Sequence, residues 1–171
     1  MNEVVSNTST KKVISNRVIG KIQGAKQGPT VVLFAGIHGD ELNGVEIARQ
    51  LTNAIDPKKL KGTLLVVPIV NVFGFIHKSR YLPDRRDLNR CFPGSEKGSL
   101  TSRIAHTFFE NVAKHCDYIL DLHTGAIHRT NLPQIRANLS NPETLRIAKA
   151  FATPVIIDSP LRDGSLRSEA E

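Results

Sequence analysis

The sequence predicts an α/β fold in which a central sheet carries helices on both faces. Two observations predict it. Short β-rich apolar runs alternate with helix-like stretches along the chain, which is the pattern of a sheet covered by helices. The polar residues with the most chemistry, His38, Asn71 and His123, each follow closely on the end of such a run. In open α/β sheets functional residues collect at the strand C-termini.

Each element has its own signal. Residues 1 to about 11 are polar and read as a flexible segment, which leaves 12–171 as one domain. A strand is expected from Val13 to Ile19. Val31 to Ala35 reads as a buried strand ended by Gly36. From Glu41 to about Ile55, Leu42, Val45, Ile47, Ala48, Leu51 and Ile55 fit a helix covering the sheet, ended by Pro57. Thr63 to Val70 is a second buried strand, which Asn71 to Phe75 leaves. Residues 76–98 are rich in Arg, Asp, Pro and Gly and read as one long irregular segment, a feature that in compact domains tends to be functional. Ser99 to about His115 reads as a helix with Ile104, Ala105, Phe108, Phe109 and Val112 on one side. Tyr118 to Leu122 is a strand leading to His123, and Gln134 to Asn138 a further short strand. Asn141 to Phe151 reads as a helix: Asn141 suits the cap, Pro142 the first helical position and Glu143 the first turn. Val155 to Ile157 is a last strand.

Composition narrows the class. The 171 residues are 40% hydrophobic and 23% charged, which suits a single globular domain with a real core. No apolar run approaches a membrane span, and the N-terminus lacks signal architecture, so the expected location is cytoplasmic with no membrane partner. In that compartment Cys91 and Cys116 are expected free, and with no Cys-x-x-Cys step a thiolate metal site is not expected. The net charge of +7 admits nucleic acid, but the basic residues are scattered and only seven Phe and two Tyr are available to stack on bases. The one dense basic segment holds Arg80, Arg85, Arg86 and Arg90. It favours a small anionic substrate over a phosphate backbone; a solvated basic surface is the alternative. A homo-oligomer is compatible with the sequence.

The chemistry centres on His38-Gly39-Asp40-Glu41, which follows the Val31–Ala35 run, and on His123, which follows Tyr118–Leu122 in a similar setting. Two histidines and a glutamate at strand ends make a three-ligand zinc site with one position open for water, the arrangement of a hydrolase. Asp40 and Asp121, next to the ligands in sequence, are expected to orient the imidazoles. A His-x-x-Glu step alone is common, so the alternative is a pair of polar strand-end histidines without metal. The segment Asp87-Leu88-Asn89-Arg90 offers an amide and a guanidinium fork suited to a substrate carboxylate, with Asp87 expected to hold Arg90. The alternative is a surface ion-pair loop.

These residues carry a resemblance. His38-Gly39-Asp40-Glu41, then Asp87-Leu88-Asn89-Arg90 with Phe92-Pro93-Gly94, then Asp121-Leu122-His123-Thr124-Gly125 resemble, in this order, the motifs of the succinylglutamate desuccinylase/aspartoacylase family, which is related to zinc carboxypeptidases. The resemblance covers about residue 13 onward. It implies a mixed, largely parallel sheet of zinc-carboxypeptidase type, zinc held by His38, Glu41 and His123, and a substrate carboxylate contacted by Asn89 and Arg90. Arg80 is similar to a family arginine that polarises the scissile carbonyl. The implied activity is zinc-dependent hydrolysis of the amide of an N-acyl amino acid or similar carboxylate-bearing substrate. Its rivals are a peptidase acting on a C-terminal residue and a non-catalytic binding protein that keeps the fold. The family's general-base glutamate comes from a later strand in a Glu-x-Gly context, whereas this chain runs to Leu166-Arg167-Ser168-Glu169-Ala170-Glu171, similar to the helix before that strand. The expectation is therefore an incomplete domain, the zinc-binding N-terminal part of a deacylase, nearly inactive alone.

Overall fold

The computed structural model describes residues 11–14, 19–125 and 127–170. Five strands form the main sheet: β1 (Lys11–Ile14), β2 (Ile19–Gln23), β3 (Lys26–Ala35), β4 (Lys61–Val67) and β5 (Tyr118–Leu122), in the order β1-β2-β4-β3-β5. β3 runs parallel to both β4 and β5, while β2 is antiparallel to β1 and β4, so the sheet is mixed. A separate parallel pair joins β6 (Gln134–Ala137) to β7 (Val155–Asp158). The expected strand from Val13 to Ile19 falls on the ends of β1 and β2; residues 15–18 lie outside the described set, as do residues 1–10 of the expected flexible segment.

Period-two alternation along β3 divides the core between two faces. Val32 and Phe34 point to one side, where they meet Val67 of β4 and the helix α3 (Leu100–Asn111) through Ala105 and Phe108. Phe108 packs edge-on to Phe34 at 5.2 Å between ring centres and to Phe92 at 6.3 Å. Leu33 points to the other side and joins Ile22, Leu64, Val66 and Ala48 of α1 (Asn43–Ala54). Helices therefore cover both faces. The expected inner face of α1 is narrower than its apolar content suggests: Ala48 is buried and Leu51 and Ile55 pack against it, but Leu42 and Ile47 are exposed. At 100° per residue those two positions fall off the stripe that meets the sheet.

Two features were not visible in the apolar pattern. Val72–His77 is a helix, α2, started by Asn71, whose side-chain oxygen accepts from the Gly74 amide at 2.8 Å. The following irregular segment is tied into the core by Leu82, Leu88 and Phe92, all nearly fully buried, and contains a 3-10 turn at Leu88–Arg90. The helix α4 (Pro142–Phe151) starts as expected at Asn141, whose side chain accepts from the Glu143 and Thr144 amides. The short α5 (Leu166–Glu169) buries Leu166 against the α3 side of the sheet. Among the described residues no helix is long and apolar enough to cross a membrane.

Asp84 joins the irregular segment to α3. It accepts from the amide of the fully buried Thr101 at 2.9 Å and from its hydroxyl. Burial alone would raise the Asp84 pKa, but the Thr101 hydroxyl and amide outweigh it and hold the carboxyl below its usual range. A carboxylate depressed in the folded state stabilises the protein above its unfolded pKa and loses that contribution as pH falls through the folded value. Asp84→Ala should therefore cost about 1–2 kcal/mol in urea unfolding at pH 7. The difference from wild type should shrink as pH drops below the carboxylate range.

Candidate metal centre

The parallel pairing of β3 with β5 ends with Ala35 opposite Leu122. His38 lies three residues past the first strand and His123 directly after the second, so both emerge at the same edge, with ring centres 5.0 Å apart. The His38 loop is braced from below by α2. Asn71, fully buried, donates from Nδ2 to the Ile37 carbonyl at 3.1 Å, and the Gly39 amide donates to the Ser79 carbonyl at 3.0 Å. A side chain at Gly39 would place its Cβ 1.8 Å from the Gly74 carbonyl carbon, so only glycine permits this approach. Asn71 is thus a support for the loop and not part of the site.

A tight turn, with the Glu41 amide donating to the His38 carbonyl at 3.2 Å, returns Glu41 between the two rings. Its Oε1 lies 2.7 Å from His38 Nδ1 and its Oε2 lies 2.8 Å from His123 Nδ1; Oε2 also accepts from the Thr124 amide at 3.0 Å. One donor atom from each of His38, Glu41 and His123 falls within 4.8 Å of the others, so the three could hold a metal ion. The side chains of His38 and Glu41 are only 4% exposed, whereas His123 is 33% exposed and opens the centre to solvent.

The far nitrogens of both imidazoles meet carboxylates. His38 Nε2 donates to Asp87 Oδ1 at 3.1 Å, and His123 Nε2 donates to Asp121 Oδ2 at 2.7 Å. This arrangement leaves each Nδ1 facing inward, and it suits a ligand set: imidazoles that bind metals are commonly oriented by an acceptor on the other nitrogen. Asp121 meets the imidazole that the sequence suggested for it. Asp40 does not: it bonds neither imidazole, and its Oδ1 is buried without a hydrogen-bond partner among the described residues. Its place is taken by Asp87, which approaches from the 3-10 turn.

Asp87 also corrects the expectation for Arg90. Its Oδ2 accepts from Nε and Nη2 of Arg80, at 3.1 and 2.8 Å, and its Oδ1 accepts from the Asn89 amide at 2.9 Å. The aspartate therefore holds Arg80, and Arg90 instead folds back onto the Asn89 carbonyl. Held in this way, Arg80 brings Nη1 within 3.3 Å of His38 Nδ1 and 3.8 Å of Glu41 Oε1. Asn89 is half-buried and Arg90 exposed beside the centre's supporting turn. Neither hydrogen-bonds His38, Glu41 or His123 among the described residues.

Charge explains why this cluster persists. Burial opposes charge on His38, Glu41, Asp87 and His123, but the pairings outweigh it. Asp87 and Glu41 raise His38, while Asp121 and Glu41 raise His123 to about 10. His123 and His38 hold Glu41 down at about 2, and His38 with Arg80 holds Asp87 well below the usual carboxylate range. Protons on the imidazoles compensate the carboxylates beside them; a divalent cation held there would displace the inward-facing ones.

Comparison with known proteins places the chain among its relatives. The family model of the succinylglutamate desuccinylase/aspartoacylase catalytic domain matches residues 27–171. The chain is 32% identical over 137 residues to the N-alpha-acetyl-L-2,4-diaminobutyric acid deacetylase of Halomonas elongata, covering 77% of this chain and 40% of that protein. Its fold is similar to a succinylglutamate desuccinylase/aspartoacylase from Rhodobacter sphaeroides (TM-score 0.81, 29% identity, 90% of this chain and 47% of that one). It is also similar to an aspartoacylase family protein from Mesorhizobium loti (TM-score 0.80, 28% identity, 90% and 51%). A third is the product-bound ectoine utilization protein EutE (DoeB) of Ruegeria pomeroyi (TM-score 0.73, 26% identity, 89% and 48%). The chain thus spans about half the length of these relatives. A match over residues 27–171 establishes that the chain belongs to the succinylglutamate desuccinylase/aspartoacylase family.

Proposed function

We propose that the chain forms the metal-binding and substrate-anchoring part of a zinc-dependent deacylase that hydrolyses the amide of an N-acyl amino acid or a similar carboxylate-bearing substrate. The observation that carries this reading is the Glu41 carboxylate set between two inward-facing Nδ1 atoms, each imidazole backed by an aspartate. His38, Glu41 and His123 would hold the ion; nitrogen and carboxylate oxygen donors without sulfur suit zinc. When bound, zinc supplies Lewis acidity and lowers the pKa of water to roughly 7.

The chain's own residues divide the remaining work. Asp87 and Asp121 fix the imidazoles. Arg80, locked by Asp87, directs Nη1 toward the donor set, where a substrate carbonyl oxygen gaining negative charge would meet a preorganised cation. Asn89 and Arg90 anchor the substrate carboxylate, a charge-assisted contact that fixes the acyl group relative to Arg80. The diaminobutyric acid deacetylase, which by its name acts on an N-acetylated amino acid, favours a small acylated amino acid as the substrate class.

The proton-accepting base is proposed to lie outside the described residues. Glu41, Asp87 and Asp121 are each already engaged with the imidazoles. The sequence's single Glu-x-Gly step, Glu96-Lys97-Gly98, is in the turn before α3, and Glu96 faces a groove with Phe73 and His106. General acid–base catalysis commonly contributes about 10²–10⁴-fold. The zinc-loaded 171-residue chain should therefore turn over N-acetyl amino acids at least about 100-fold more slowly than the full-length Halomonas elongata deacetylase turns over its own substrate. Comparable rates would place the base within this chain.

Anchoring is tested apart from turnover. Calorimetric titration of the zinc-loaded chain should give tighter binding of N-acetyl-L-alanine than of its primary amide. Arg90→Ala should weaken the acid by about 1.5–3 kcal/mol and leave the amide nearly unchanged. Equal losses on both ligands would contradict a carboxylate anchor.

A further inference from the structure

The half-buried side chain of Asn89 is fixed from behind. Its Oδ1 accepts from the Leu166 amide at 3.1 Å, and among the described residues its Nδ2 has no hydrogen-bond partner. An unrestrained asparagine can turn its amide over, presenting oxygen or nitrogen with little difference in shape. Here the Leu166 N–H decides the orientation, because a turned amide would set Nδ2 against another donor.

The donor at Leu166 is itself held rigidly. Leu166 is 1% exposed in the same core cluster as the fully buried Leu88, which begins the Asn89 turn. The Phe92 amide donates to the Gly164 carbonyl at 2.9 Å. Gly164 has φ +71°, and a Cβ there would stand 2.5 Å from the Arg90 carbonyl oxygen and 2.8 Å from its carbon. Both partners of that contact are backbone, so neither yields cheaply, and the conformation is one that L side chains rarely adopt. Gly164 and the start of α5 are thus pressed against residues 89–92 at three points more than 70 residues away in sequence.

We propose that Gly164 and Leu166 are positioning residues that set the polarity of the anchor. By engaging the oxygen of Asn89, Leu166 leaves the Nδ2 donors as the part of that side chain open to a ligand, in the residue next to Arg90. An anchor made only of donors accepts a carboxylate and discriminates against a carboxamide, whose NH₂ would meet another donor. This inference rests on the anchoring role proposed above for Asn89 and Arg90, and it explains why that role needs the later segment.

The test uses the 171-residue chain loaded with zinc. The ratio of affinities for N-acetyl-L-alanine and its primary amide is measured together with hydrogen exchange at the Leu166 amide. Asn89→Asp keeps an inner oxygen for Leu166 but turns the outer donors into an acceptor. It should keep Leu166 protected while cutting the acid-over-amide ratio about 10- to 100-fold. Asn89→Ala should expose Leu166 to exchange. Gly164→Ala should lower the ratio without changing zinc affinity. If Gly164→Ala fails to fold, the two Asn89 variants still decide the matter. A Leu166 amide that stays protected in Asn89→Ala would overturn the inward orientation. A wild-type preference for the acid that Asn89→Asp leaves intact would overturn the proposal while sparing the anchor. No preference in the wild type, with Arg90→Ala equally indifferent, would remove the anchoring role, and with it the claim about its polarity.

Discussion

The site depends first on the parallel pairing of β3 with β5. Because Ala35 sits opposite Leu122, two loops far apart in sequence leave the sheet at one edge and deliver His38 and His123 side by side. A one-residue slip in that register would turn the alternation of β5 over and carry His123 away from Glu41. The two-sided core defends the register. Val32 and Phe34 must face α3 while Leu33 faces α1, and neither face can be exchanged without exposing large apolar side chains.

Onto that scaffold the protein places buried charge, which is costly unless every group is paired. The pairing is continuous: Asp121 with His123, His123 with Glu41, Glu41 with His38, His38 with Asp87, and Asp87 with Arg80. Only His38 and Glu41 are both deeply buried, and removing one partner of such a pair typically costs about 3–5 kcal/mol, so the half-exposed links are arranged around that one. The same chain of contacts gives Asp87 a double role. One of its oxygens orients an imidazole and the other an arginine, so the donor set and the cation beside it move as a unit. The Asn89–Arg90 turn is attached to that unit through the Asn89 amide and braced from the opposite side by Gly164 and Leu166.

Much of this was legible in the sequence because it is local. β5 coincides with its apolar run, α4 begins at the asparagine and proline that mark a helix start, and the meeting of His38, Glu41 and His123 follows from strand ends carrying histidine. The rest depends on contacts between distant segments. α2 is apolar nearly all round and contains Gly74, so it shows no helical stripe; its start is fixed by Asn71, which serves the His38 loop at the same time. Asp40 adjoins His38 and Glu41 in sequence yet bonds neither imidazole, whereas Asp87, 49 residues from His38, does so because the 3-10 turn aims it back. Asp87 appeared to belong to Arg90 for the same reason of adjacency. Leu42 and Ile47 carry the hydrophobicity of a buried face but not its angle.

The most direct test of this account is X-ray absorption of the chain loaded with one equivalent of zinc. The donor set predicts a shell of nitrogen and oxygen scatterers at about 2.0–2.1 Å, with the outer-shell pattern of two imidazoles and no sulfur. His38→Ala should remove one imidazole from that pattern. A sulfur shell near about 2.3 Å, implicating Cys91 or Cys116, or a shell of oxygen alone with no imidazole signal, would contradict the assignment of His38, Glu41 and His123 as the centre.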